Sequence, residues 1–419
     1  MTYPYRWGNP LSRAMTETRV PRGARLRLGA VDGDLRVERD SEIDVDGRLG
    51  VAGQARFDGN ADVRGDMECR SFRSDDGTVR VRGHLFVQED LETHDGSVEI
   101  GGEFRARHVD ADSAISVGGP ATAEKFEVGG RLEGAQTLTA RSVSVGGKFR
   151  LGGKLTAESV EAGGSVDLRD VELERLDVGG VVRLAGGIVR RSVEVGGKFS
   201  SDAPFEFGSI EVGGIAQFHD TAKGGSIEAG GMMTSDRDLA FEDLEIGGLG
   251  TIGGSGKGRN VEVGGRFTVQ GSLELTGKLE VGGMISVGEV LTGRELEVGG
   301  RIAARRAVFT EEAEIGGAVS TREGLKASRI LLQRKSKAQG PLVGGTIRID
   351  AKATVEDLYG DTVELGDKAE ARNIYARRVQ LGEGASADQV VYTETVELRP
   401  GARVRAPPQK VAGLPAFPL

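Results

Sequence analysis

The sequence predicts an all-β fold: a single long parallel β-helix of triangular section, with about twenty coils of ~17 residues and a short flexible tail at each end. Three observations carry this. The second glycine of a Gly-Gly pair falls at Gly130, Gly147, Gly164, Gly180, Gly197, Gly214, Gly231, Gly248, Gly265, Gly283, Gly300 and Gly317, in steps of 16 to 18 residues that are mostly 17. Each pair follows an apolar-polar-apolar stretch and precedes an outward and then an apolar residue, as in VEVGGKF (193–199), VEVGGRF (261–267) and LEVGGMI (279–285). The period continues where the glycines thin out: VELG, VQLG and VELR begin at Val363, Val379 and Val396. A fixed period of this size marks a solenoid, in which each repeat buries its face against its neighbours.

The alternation is that of strands, with Val, Ile, Leu and Phe inward and Glu, Ser, Lys and Arg outward. Paired glycines pack nothing inside a strand, so they are expected at a tight corner where the chain takes positive φ. Seventeen residues at about 3.3 Å each give a path of about 56 Å, enough for three short sides and three corners. Upstream, VDGDL, VDGRL, VRGDM and VRGHL place the same corner at Gly33, Gly47, Gly65 and Gly83. Tyr359, Tyr375 and Tyr392, 16 and 17 residues apart, are expected to stack as a ladder. Two steps break the clock: 11 from Gly119 to Gly130 and 28 from Gly317 to Gly345. With a side of about six residues, these equal one coil and two coils less a side, so the glycine corner moves to a neighbouring edge or a small insertion intervenes. Pro120 and Pro341 stand at the two junctions.

The prediction therefore divides the chain into a flexible basic tail (1–22), a β-helical rod (23–404) and a flexible Pro-rich tail (405–419). Residues 1–28 carry six arginines and one acid; residues 399–419 carry four basic residues and no acid; the net charge of −9 leaves −18 for the rest. Eight of the eleven prolines lie in the end segments. Basic ends on an acidic body suit an anionic membrane surface or the body of the next molecule, and the acidic body disfavours nucleic acid. Tyr3, Tyr5, Arg6 and Trp7 are the candidates for that membrane or partner contact. A second basic stretch, SRILLQRKSK (328–337), reads either as a partner site or as an ordinary rung followed by a solvated turn. One cysteine, Cys69, and no signal-like or membrane-length apolar run point to a cytoplasmic protein, with membrane association through its ends.

No catalytic constellation is legible. His84, His94, His108 and His219 are scattered without metal-ligand spacing. GGSGKGRN (253–260) has Thr251 and Gly258 where a phosphate loop needs Gly and Ser or Thr. The expectation is a protein without catalysis, cofactor, metal or small-molecule substrate. Each end of a β-helix exposes unpaired backbone and a slice of apolar core. The first coil offers Leu26, Leu28 and Val31, the last Val396, Leu398 and Val404, as candidates for end-to-end contact with another copy.

The stretch LYGDTVELGDKAEARNIYARRVQLGEGASADQVVYTETVELRPGARV (358–404) resembles the bactofilins, the polymer-forming cytoskeletal proteins, and the VDGDL and VDGRL units are similar in style. The resemblance implies a right-handed β-helix that polymerises end to end without nucleotide, often at a membrane, as a scaffold in contact with other scaffold proteins. This chain is much longer than a single bactofilin domain. The alternative kept open is a monomeric β-helical platform that binds protein or polysaccharide; a carbohydrate-active or acyl-transfer enzyme ranks behind both.

Overall fold

A computed structural model describes residues 16–416. The described residues contain no helix; parallel strands form a β-solenoid of about 23 turns with ~17 residues per turn. The chain divides into two compact units, Met1–Val178 and Gly179–Leu419. In the first unit, Arg131–Gly134, Leu138–Thr139 and Ser142–Val145 are the three sides of one coil, each parallel to and in register with the same side of the coil before. In the second unit, Arg266–Val269, Leu273–Leu275 and Lys278–Val281 repeat the plan on Leu249–Ile252, Gly256–Gly258 and Asn260–Val263. Phe267, Val269, Leu273, Leu279 and Val281 point inward and are buried, so the core is a column of aliphatic side chains with phenylalanines at intervals.

We number the sides from the glycine pair: the first follows it, the third precedes it. The ten corner glycines Gly130, Gly147, Gly164, Gly197, Gly214, Gly231, Gly248, Gly265, Gly300 and Gly317 all lie at the third-to-first corner, between the strand that ends at the preceding residues and the one that begins just after. None of them has positive φ, which corrects the expectation drawn from glycine's conformational freedom. The reason for glycine is space. A Cβ at any of the ten would come under 3.0 Å from a carbonyl oxygen one coil back: Ser113 for Gly130, and for the others the second glycine of the preceding pair. At most corners of this kind that lack the pair, the chain turns through a left-handed residue: Gly23, Asp40, Gly77 and Asp95 in the early coils, Lys335, Lys352, Lys368, Gly384 and Gly401 in the late ones; the corners at 58–60 and 112–113 have neither.

Both breaks in the clock are moves of the glycine pair to another edge. Gly118 and Gly119 follow Ala114–Val117, a first side that pairs with Arg131–Gly134, so they occupy the first-to-second corner. Gly344 pairs with Ala327 at the second-to-third corner, and Ala318 pairs with Lys337, so that coil is also lengthened to 19 residues. Pro120, Pro204 and Pro341 all sit at first-to-second corners, where their carbonyls accept from Phe104, Gly187 and Leu325 and no ladder donor is needed. Gly33 departs from the expected series. It precedes Asp34–Val37, a third side, whereas Gly47, Gly65 and Gly83 follow first sides; the short step of 14 reflects this.

The tails are shorter than expected. Glu17–Val20 pairs with Asp34–Val37, and Gln409–Lys410 pairs with residues 391–392. The solenoid therefore takes in residues assigned by sequence to 1–22 and 405–419.

Two corners of opposite chemistry give a paired test. Gly265→Ala forces a Cβ onto the Gly248 carbonyl and is expected to destabilise by about 1–3 kcal/mol, opening amides of 261–281 to hydrogen exchange. Lys368→Gly relieves a left-handed lysine at φ 57° and is expected to be neutral or to stabilise by up to about 1 kcal/mol. Urea midpoints and exchange rates check both.

Candidate interaction surfaces

The exposed ends follow from the ladder of inward residues. Ile349, Leu365, Leu381 and Leu398 are in register in successive coils. The first three are buried; Leu398 is 48% exposed, because no further third side covers it. Val396 is half-buried beside it, and the outer edge of 395–398 has no strand partner among the described residues. At the other end Leu26 pairs with Ile43, and Ile43 with Val63. Ile43 and Val63 are buried, whereas Leu26 is 38% exposed and Leu28 half-buried.

Two of the six end candidates are not part of a bare slice. Val31 is buried, at a corner where the Asp34 N–H already donates to the Thr16 carbonyl. Val404 pairs with Ala387 inside a partial final coil, in which Arg403–Val404 covers the first side and Gln409–Lys410 the second. That partial coil is a polar cap on two sides of three, leaving the third side, with Leu398, open.

The tyrosine ladder holds for two rungs. Tyr359 pairs with Tyr375 and the rings stack at 4.9 Å and 12°. Tyr375 pairs instead with Val391, and Tyr392 falls opposite Ala376. The seventeenth residue of that step enters as a bulge after Tyr392, so the third tyrosine is one place out of line. Below the rings, Asp357 accepts hydrogen bonds from Arg372 Nε (2.9 Å) and Asn373 Nδ2 (2.7 Å). The Arg372 guanidinium holds its carboxyl below the usual carboxylate range, against the opposing effect of burial.

Other sequence candidates resolve into structure. Ile330 and Leu332 of 328–337 are buried rung residues, followed by a turn through Lys335. Gly256–Gly258 is a strand, and the missing side chain of Gly258 is where the Phe241 ring sits. His108 lies between Asp90 (Nδ1, 2.9 Å) and Glu124 (Nε2, 3.8 Å), and His219 bonds Asp236 (2.8 Å), all at exposed positions. Among the described residues no cluster of His, Cys, Asp or Glu could hold a metal, and no helix is long and apolar enough to cross a membrane. Tyr3, Tyr5, Arg6 and Trp7 lie outside the described residues.

One surface was missed. The position just after the glycine pair points outward, yet it holds Ile215, Met232 and Leu249 in three successive coils, paired in register and exposed. Four residues earlier in the same coils stand Glu211, Glu228 and Glu245, within a row of stacked glutamates from Glu194 to Glu314. A shallow groove of about 410 Å³ runs along this row, lined by Glu228, Glu245, Glu262 and Glu280. The signal was present in the text: GGIA, GGMM and GGLG replace the polar residue of GGKF and GGRF.

These features define a β-solenoid with open coil ends and a lateral apolar–acidic face. Comparison with protein-family models, with curated proteins and with solved structures yields no match.

Two predictions concern groups near these surfaces. Asp357 has a lowered folded pKa, so its contribution is present above its unfolded value near 4 and is lost as pH falls through the acid range. Asp357→Ala should cost about 1–2 kcal/mol at pH 7, and the difference from wild type should shrink as pH falls below about 4, as read from urea unfolding of the last coils. Burial pushes the Cys69 thiol up to about 12. Alkylation at neutral pH should therefore be negligible until urea opens the early coils, which makes Cys69 a probe of their unfolding.

Proposed function

We propose that the protein is a structural scaffold that assembles end to end through its terminal coils into filaments, without nucleotide, cofactor or catalysis. The observation that carries this reading is the pair of open ends. Leu26 and Leu398 occupy ladder positions whose equivalents one coil inward are buried, and the strand edges beside them lack partners among the described residues. Unpaired, apolar strand edges are templates for adding another strand, and here the added strand belongs to another copy. The polar cap over two sides of the last coil narrows the contact to the third side and so fixes the orientation in which a second molecule docks.

The likeness of residues 358–404 to bactofilins supports the same reading, as does a surface built of short sides and tight corners rather than long loops. In this reading the polymer works in the cytoplasm, and its basic ends offer contact to an anionic membrane surface or to other scaffold proteins. The exposed stripe at Ile215, Met232 and Leu249 favours a second reading, a monomeric platform that binds partners along its side.

Leu398→Asp separates the two. It buries a charge in an end-to-end contact but leaves the lateral face untouched. Scaffold assembly predicts that the variant, still β-rich by circular dichroism, loses filaments in negative-stain images and scatters light as a single chain. Unchanged filaments, or a wild type that stays monomeric across salt and concentration, would overturn the scaffold reading.

A further inference from the structure

We infer that the face carrying Ile215, Met232 and Leu249 beside Glu211, Glu228 and Glu245 is a lateral docking surface for the first fifteen residues of a second copy of this chain. The three apolar side chains stack at about 4.8 Å per coil and form a continuous exposed strip, closed at either end by Lys198 and Arg266 in the same ladder. The glycine pairs beside the strip (213–214, 230–231, 247–248) have no side chains, so nothing rises between it and the glutamate row. Four residues separate the two in each coil, at most about 13 Å of chain.

The glutamates select the occupant. Glu211, Glu228 and Glu245 have no ion-pair partner among the described residues. Elsewhere acids on neighbouring coils are interleaved with arginines, as in Arg80–Glu99 and Arg82–Asp62. Like charges stacked directly opposite repel; Lys278 bridges Glu280 and Glu297 further along the row, whereas Glu211, Glu228 and Glu245 are left to be neutralised from outside. A second copy of the same face would set glutamate on glutamate, and an anionic membrane would be repelled. The complement is a cationic segment with large apolar side chains. Residues 1–15 fit: they carry Arg6 and Arg13, no acid, and Tyr3, Tyr5, Trp7 and Leu11. Extended, fifteen residues reach about 50 Å, ample to cross the patch. Such docking joins molecules side by side and does not depend on end-to-end stacking.

Trp7 is the only tryptophan of the chain, so its emission reports on this segment alone. In the full-length protein carrying Leu398→Asp, which removes end contacts, Trp7 emission should shift to the blue and resist iodide as protein concentration rises. A labelled peptide of residues 1–15 should bind the same protein saturably and release in high salt. Ile215→Ser/Met232→Ser/Leu249→Ser, which changes only exposed side chains, should weaken the peptide at least about tenfold. Glu211→Gln/Glu228→Gln/Glu245→Gln should do the same and remove the salt dependence. Equal binding to these variants, or Trp7 fully solvated at every concentration, overturns the proposal. So does a peptide that ignores the protein but binds vesicles of phosphatidylglycerol and phosphatidylcholine.

Discussion

The rest of the structure depends on the approach of one backbone to the next at a single corner. Strands of adjacent coils are held about 4.8 Å apart by their hydrogen bonds. At the third-to-first corner of the middle coils that spacing leaves the carbonyl oxygen of one coil where the next coil would place a Cβ. The chain meets this at most corners in one of two ways. It omits the side chain, as at Gly248 and Gly265, or it turns through a left-handed residue that carries the backbone elsewhere, as at Asp40 and Lys368. The first way also locks register. A slip of one residue would drive a side chain into the corner and turn Phe267 and Val269 outward.

Much of this was written in the sequence, because the constraint acts on residue type. Strand alternation named the inward side chains, and the steps of 11 and 28 encoded the moves of the glycine pair between edges. What stayed hidden has specific causes. A left-handed lysine leaves no compositional mark, so the corners at Lys335, Lys352 and Lys368 could not be read. Glycine was read for its torsional freedom when its small volume was the need. The place of an extra residue within a 17-residue step is silent, and this misplaced Tyr392. The prolines and basic residues after Gly401 look like a tail, yet Gln409–Lys410 pairs. Among the end candidates, Leu398 was legible as the last inward residue of a VEL rung. Val31 was not separable from it, because sequence alternation does not reveal that Val31 is buried.

The distribution of charge differs along the chain in a way that stability alone does not explain. In the early coils Arg25, Arg64, Arg80 and Arg82 bridge acids on neighbouring turns. Exposed pairs of this kind contribute little each, but they cancel the repulsion that in-register stacking imposes on like residues. Lys278 relieves the glutamate row of the second unit at Glu280 and Glu297, but Glu211, Glu228 and Glu245 have that repulsion without a cation among the described residues, beside exposed apolar side chains. A surface arranged so is unfavourable alone and gains most from an oppositely charged, partly apolar cover.

Strand pairing joins residues one turn apart, and the Arg39–Asp76 ion pair is a side-chain contact that reaches over an intervening turn. The length of such a molecule is therefore quantised. A duplicated stretch of seventeen residues, cut at equivalent corners, adds one storey and preserves all other pairings, whereas eight extra residues would put every later glycine pair on the wrong edge. Growth or shrinkage by whole storeys is thus a neutral path open to this architecture, with the two end faces carried along unchanged.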